Sequence, residues 1–178
     1  MSLALVRHGR TDWNRRRRMQ GASDVPLDDH GREQAAAAGR VLALAVWDRI
    51  VSSPLTRAQE SAEIVAAHLG IEVSGTDVRL VERDYGEAEG LAVAEVQERW
   101  PDQAYPGSEP VAEVAARGVH ALRELLDDGR NAVVVAHGTT LRLSIEALTG
   151  EACPRIHNGE IVMLEGDTRA PRARRLTG

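Results

Sequence analysis

Apolar residues fall along the chain in short unbroken runs, separated by longer stretches in which they recur every three or four positions. Leu3-Ala4-Leu5-Val6 is the first run and Ala132-Val133-Val134-Val135-Ala136 the clearest. Neither shows the apolar–polar alternation of a half-exposed strand, so both read as strands covered on two faces. Residues 50–51, 71–73, 78–81 and 161–164 read as further strands, and residues 172–176 as an edge. Helical spacing between them predicts helices over 31–46, with Asp28 or Asp29 as N-cap, and over 56–69, stopped by Gly70. Further helices are predicted over 91–100, stopped by Pro101, over 111–126, and over 141–148. The segment 101–110 is loop by composition. Strands alternating with helices predict a three-layer α/β/α sandwich with a mostly parallel central sheet. With 178 residues and neither repeat nor linker, a single domain over 1–178 is expected.

The two buried runs end alike. The first leads into Arg7-His8-Gly9 and the other into His137-Gly138-Thr139-Thr140. Ligands of open α/β sheets gather just outside the carboxyl ends of such strands, which makes these polar residues candidates for a site. Arg57 falls in the first turn of a predicted helix, where free N–H groups and the helix dipole favour an anion. Thr139 lies beside another predicted helix start, Glu82 follows a predicted strand, and Asn14 is close to the first motif. Two arginines, two histidines and two helix starts suit a dianionic phosphoryl group, whose oxygens guanidinium forks grip in pairs. A neutral imidazole attacks phosphorus to give a phosphohistidine, dividing one displacement into two. Arginines stabilise the charge on the equatorial oxygens. The leaving alkoxide needs a proton, and Glu82 is the best-placed acid; near neutral pH that role needs a pKa raised to about 6 or 7, by burial or by the bound phosphate.

Composition narrows the function further. An apolar content of 43% and a charged content of 28% are those of an ordinary globular protein. No apolar run is long enough to span a bilayer, and no secretory signal is visible, so a cytoplasmic protein without a membrane partner is expected. The lone Cys153 forms no intrachain disulfide and reads as a small buried hydrophobe. A net charge of −5 speaks against nucleic acid as a partner. There is no lysine: all 22 basic residues are arginine, and four of them stand together at 15–18. That run reads either as a solvated loop or as a rim that attracts acidic substrates. No metal-ligand spacing is present, so neither metal nor other cofactor is expected. His30, His68, His120 and His157 read as exposed or packing residues, and Asn158-Gly159 as a turn.

The segment LVRHGRTDWN resembles the R-H-G-x-T-x-x-N signature of the histidine phosphatase superfamily, the phosphoglycerate mutase-like proteins. RMQGASDVPLDDHGREQA, VSSPLTRAQESAEIVA, LVERDYGEAEG and VVVAHGTTLRLSIEALTG are similar to later segments of that family, in the same order. The resemblance implies His8 as nucleophile, with Arg7, Arg57 and His137 holding the phosphoryl group. It implies Glu82 as proton donor and then as the base that activates water. Thr11, Asn14, Arg18, Gln20, Gly21, Arg83, Tyr85, Gly138 and Thr139 are the implied substrate contacts, and no metal is implied. A small-molecule phosphomonoester is the expected partner, and the oligomeric state is left open, a homodimer included. The family holds mutases as well as phosphatases. Mutases carry a longer, basic insertion after the acid loop, whereas Arg99 is the only cation between Gly90 and Gly107 here. That favours a phosphatase, with a cofactor-dependent phosphoglycerate mutase as the alternative and a non-catalytic or nucleic-acid-binding module more remote. Glu109 keeps the family's pattern, but Pro110 replaces the usual serine, which puts any substrate contact by that serine in doubt.

Overall fold

Leu3 and Leu5 pack into a core on one side of the first strand and Ala4 and Val6 into a second core on the other, all four at most 1% exposed. Two-sided burial is why that run has no polar alternation. The computed structural model describes residues 1–167 and 170–176, and its strands form one six-stranded sheet. The strands are β1 (Ser2–Arg7), β2 (Arg49–Ser52), β3 (Val73–Thr76), β4 (Ala132–Ala136), β5 (Ile161–Asp167) and β6 (Ala170–Leu176). The helices are α1 (Asp12–Arg15), α2 (Asp29–Leu42), α3 (Thr56–Leu69), α4 (Val93–Arg99), α5 (Val111–Asp127) and α6 (Gly138–Thr149). Sheet order is β3-β2-β4-β1-β5-β6, with β3, β2, β4 and β1 mutually parallel and β5 antiparallel to both of its neighbours.

Ala38, Leu42, Ala58, Ala62 and Val65 from α2 and α3 join Ala4, Val6, Val133 and Val135 in one core. Leu122, Leu126, Leu141 and Ile145 from α5 and α6 join Leu3, Leu5, Val134 and Ala136 in the other. The expected three-layer α/β/α sandwich is therefore present. Connections that step toward β3 carry their helices on one face; those that step back carry them on the opposite face, as right-handed crossovers require. Adjacent β1 and β4 feed helices on opposite faces, so the sheet's switch point lies between them. That is where open α/β sheets leave a crevice for a ligand.

Helix boundaries agree closely where a cap marks them. Asp28 caps α2 by accepting from Gly31 N–H at 2.8 Å, and Gly70 ends α3 at φ 68°. Four expectations need correction. Residues 78–81 form no strand: Val78–Leu80 is a 3-10 turn capped by Asp77, in which only Leu80 is buried and Val78 is 71% exposed. The strand predicted at 71–73 is displaced to Val73–Thr76, the edge position beside β2. The helix predicted to 46 ends at Leu42, leaving Leu44 and Val46 exposed. The helix predicted from 141 begins at Gly138, which brings Gly138 and Thr139 into its first turn. The short α1 escaped notice because a four-residue helix has too few positions to show a period; Thr11 and Asn14 form its capping box.

Candidate active site

The register of β1 against β4 pairs Arg7 with Ala136, so the next residues, His8 and His137, emerge side by side. Their ring centroids lie 5.1 Å apart. His8 Nδ1 is 2.7 Å from the Gly9 carbonyl, which can only accept; Nδ1 therefore carries the proton and the Nε2 lone pair is left free. Gly9 is required where the chain leaves the strand, since a Cβ there would lie 2.1 Å from the Gly31 carbonyl of α2. Its N–H donates to Ser61 Oγ at 3.0 Å, and that hydroxyl donates to the Arg57 carbonyl at 2.7 Å. One serine of α3 thus couples the histidine loop to the helix that bears Arg57.

Arg57 is 1% exposed, with Nη1 and Nη2 donating to the Ser23 and Gly21 carbonyls at 2.7 Å each. Arg7 donates to the Ile156 carbonyl at 2.8 Å. Neither guanidinium bonds a carboxylate directly, and burial lowers the pKa of both, that of Arg57 to about 10. The Nε atoms of Arg7 and Arg57 and Nδ1 of His137 are buried without a hydrogen-bond partner among the described residues. Unpaired buried donors of this kind are costly unless a ligand satisfies them. Burial first, and then the charges of Arg57 and Arg7, push the pKa of His8 well below its ordinary value, and the same influences lower that of His137. Both rings are neutral at neutral pH.

Two buried neutral histidines have a consequence for stability. The unfolded chain protonates them near 6.5 and the folded chain resists, so their contribution is intact above pH 6.5 and is lost as the pH falls below it. Each contributes a slope of at most about 1.4 kcal/mol per pH unit in that window. We expect the unfolding free energy of the ligand-free protein to fall steeply between pH 6.5 and 5, and less steeply in His137→Gln. Denaturant titrations giving the same slope for both proteins would contradict this.

Glu82 lies in the loop between the 3-10 turn and the aromatic pair Tyr85 and Tyr105. Its Oε2 accepts from Thr139 N–H at 3.1 Å, and its Oε1 from Thr140 N–H at 3.0 Å and Thr140 Oγ1 at 3.1 Å. The N-terminus of α6, directly after His137, thus holds the carboxylate in place. Arg117 braces the same segment, donating to the Arg79 and Val81 carbonyls at 2.7 Å and pairing with Glu109, whose carboxyl it holds below the usual range.

Arg7, His8, Asn14, Arg18, Gln20, Gly21, Arg57, Glu82, Tyr85, Gly138 and Thr139 all line one cavity of about 420 Å³. Three candidates do not face it. His137 is fully buried against His8, with Nε2 2.7 Å from Ser53 Oγ. Thr11, also fully buried, bonds Gln20 Oε1 at 3.0 Å and so fixes the amide that does line the cavity. Arg83 turns away: it lies between Tyr85 and Tyr105 and donates to the Glu109 carbonyl at 2.8 Å, tying down the loop that carries Pro110. Neither Glu109 nor Pro110 reaches the cavity.

The run at 15–18 divides in two. Arg15 and Arg16 pair with Asp12 in solvent, whereas Arg17 and Arg18 line the cavity. Arg142, Arg155 and Asn158 line it too, and were not singled out by the sequence. Arg142 stands four residues past Gly138, one helical turn on, so placing the helix start at 138 would have disclosed it. Asn158 does sit in a turn, but its amide donates to the His8 carbonyl and Asn14 Oδ1 at 3.1 Å each. Glu89 was also missed; it joins the loops on either side of the cavity by accepting from Ala22, Ser23 and Tyr85 N–H groups. Arg99 pairs with Glu95 on α4 and does not reach the cavity. Segment 90–107 thus brings no cation to the cavity, and the arginines at its outer part come from other segments. Among the described residues no group of His, Cys, Asp and Glu is arranged to hold a metal ion.

A histidine at the mouth of a central strand, flanked by buried arginines and faced by a glutamate, defines a phosphoryl-handling site. The sequence profile of the histidine phosphatase superfamily (branch 1) matches residues 3–177, and the chain belongs to that family. It is an enzyme of the phosphatase kind. It is 36% identical over 151 residues to the uncharacterized phosphatase PhoE of Bacillus subtilis, covering 84% of this chain and 78% of that protein. It is 37% identical over 164 residues to the probable phosphoglycerate mutase GpmB of Cronobacter sakazakii, covering 84% and 75%. The structure of a mycobacterial glucosyl-3-phosphoglycerate phosphatase in complex with VO3 superposes with a TM-score of 0.86 at 32% identity, over 98% of this chain and 96% of that one. Among the described residues, no helix is long and apolar enough to cross a membrane.

Proposed function

We propose that the chain, as one domain over 1–178, hydrolyses a phosphomonoester of a small metabolite without a metal, through a phosphohistidine on His8. The observation that carries this reading is the buried neutral His8, its Nε2 free, between two guanidinium groups that have no carboxylate of their own. Arg7 and Arg57 take the phosphoryl oxygens and supply the charge that Mg²⁺ supplies in other phosphoryl-transfer sites. His137, held at Nε2 by Ser53 Oγ at 2.7 Å, packs against the His8 ring and backs the inner end of the pocket. Glu82 donates a proton to the leaving oxygen, and the resulting carboxylate takes one from the water that attacks the phosphohistidine. Phosphate leaves and His8 is restored. The reading includes a cytoplasmic location, and neither nucleic acid nor membrane as partner.

Segment 90–107 supports hydrolysis over mutase turnover. Of its residues Val93 alone lines the cavity, and Gly90 only accepts a hydrogen bond from Arg18 at 2.5 Å. A mutase must shield its phosphohistidine from water while the intermediate turns over, and this segment supplies little cover. We expect an aryl phosphate to be hydrolysed at an unchanged rate in excess chelator. We also expect 3-phosphoglycerate with 2,3-bisphosphoglycerate to give negligible 2-phosphoglycerate. Activity lost with chelator and restored by a divalent ion, or mutase turnover faster than phosphate release from every monoester tried, would overturn the reading.

A further inference from the structure

The cavity holds more positive charge than one phosphoryl group uses. Six arginines line it against a single carboxylate, Glu82, in a chain whose net charge is −5. Arg7 and Arg57 are withdrawn from solvent at its inner end with His8, while Arg17 and Arg155 are exposed and Arg142 half-buried at its outer part. Among the described residues, Arg17 and Arg155 have no carboxylate partner, and Arg142 is shared with Glu146 at 3.1 Å. Arg155 lies close enough to Arg7 for its charge to be felt there. Like charges gathered in a concave site repel one another unless an anion sits among them.

The backbone shows that Arg17 is held there. Its φ of 53° lies in the left-handed region, uncommon and unfavourable for a residue with a Cβ. Neighbouring hydrogen bonds hold that conformation: Val93 N–H donates to the Arg17 carbonyl at 2.8 Å, and Met19 N–H to the Leu91 carbonyl at 2.9 Å. A strained residue fixed by its surroundings and directed into a cavity is a sign of a site. Helix α6 adds Arg142 one turn beyond Gly138, and the loop before β5 adds Arg155 next to Ile156, whose carbonyl receives Arg7. Three separate segments thus converge on the outer part.

We propose that Arg17, Arg142 and Arg155 form a second anion subsite, and that the preferred substrate is a phosphomonoester whose leaving group carries its own negative charge, a carboxylate or a second phosphate. This rests on the phosphatase reading above and adds the substrate class to it. Guanidinium forks match either planar carboxylate or phosphate oxygens, and such charge-assisted contacts favour the charged substrate by about tenfold or more. The subsite acts on the leaving group; the transferred phosphoryl group stays with Arg7 and Arg57.

The test compares kcat/KM for 3-phosphoglycerate and glycerol 1,3-bisphosphate with that for glycerol 3-phosphate, which shares their carbon skeleton but has an uncharged leaving group. Hydrolysis of an aryl phosphate is the separate check on the phosphatase reading, and its failure would sink that reading. With it intact, we expect one charged substrate to exceed glycerol 3-phosphate by about tenfold or more; which one it is identifies the anion. Arg155→Gln and Arg17→Gly should each reduce that ratio about fivefold or more, chiefly through KM. Glycine suits the φ of 53°, so a changed ratio in that variant does not come from a strained backbone. A ratio near one in the wild type, or variants that lower every substrate by the same factor, would overturn the subsite.

Discussion

Replacing His8 by alanine is expected to lower turnover of any phosphomonoester by about four orders of magnitude or more, the scale seen when a covalent nucleophile is lost. The imidazole is the one neutral nucleophile set between Arg7 and Arg57, with its tautomer fixed by the Gly9 carbonyl. Alanine leaves both arginines in place, so substrate binding should persist while the covalent step disappears. Rapid quenching of the wild type with radiolabelled substrate should trap an acid-labile phosphohistidine, and the variant should trap none. Equal label on both proteins would remove His8 from the reaction. A thermal melt of the variant shows separately whether its fold is intact.

Glu82→Gln should separate the two proton transfers. An alkyl phosphate needs a protonated leaving group, so its turnover should fall about 10²- to 10⁴-fold, the usual contribution of a positioned acid. A nitrophenyl phosphate expels a stable phenolate, so phosphorylation of His8 should be less affected. Loss of the base then makes dephosphorylation limiting, and the variant should give a burst of nitrophenol followed by slow turnover. Phosphoenzyme should accumulate in that steady state. Equal losses for alkyl and aryl substrates with no burst would point to a purely structural role at the start of α6, where Thr139 and Thr140 now bond the carboxylate.

Much of the site was legible because its residues follow directly on the most regular part of the chain. His8 and His137 stand at the ends of two wholly apolar strands, and Arg57 at the start of a helix with a clear stop, so chain position predicted spatial position. Glu82 was placed by its following a supposed strand; the strand is a 3-10 turn, yet the glutamate still reaches α6, because Asp77 and Arg117 fix the turn that leads into it. Arg83, next to Glu82 in the chain, was a substrate contact implied by the resemblance. In an irregular segment adjacent side chains diverge, and Arg83 went to the tyrosines.

The sequence by itself determined the three layers, the two strand-end histidines and most of the residues that gather at the inner end of the cavity, because burial on both sheet faces and the strand and helix periods are local properties. Only the tertiary structure decided which arginines share the cavity. Arg17, Arg142 and Arg155 lie in three segments far apart in the chain, and neither period nor motif says that those segments meet. Their convergence depends on the order of strands in the sheet, on the clamp between residues 17–19 and 90–93, and on the single turn of helix that separates Arg142 from Gly138. Arg99, the one cation of segment 90–107, was drawn to Glu95 on its own helix, since a partner four residues away is within reach.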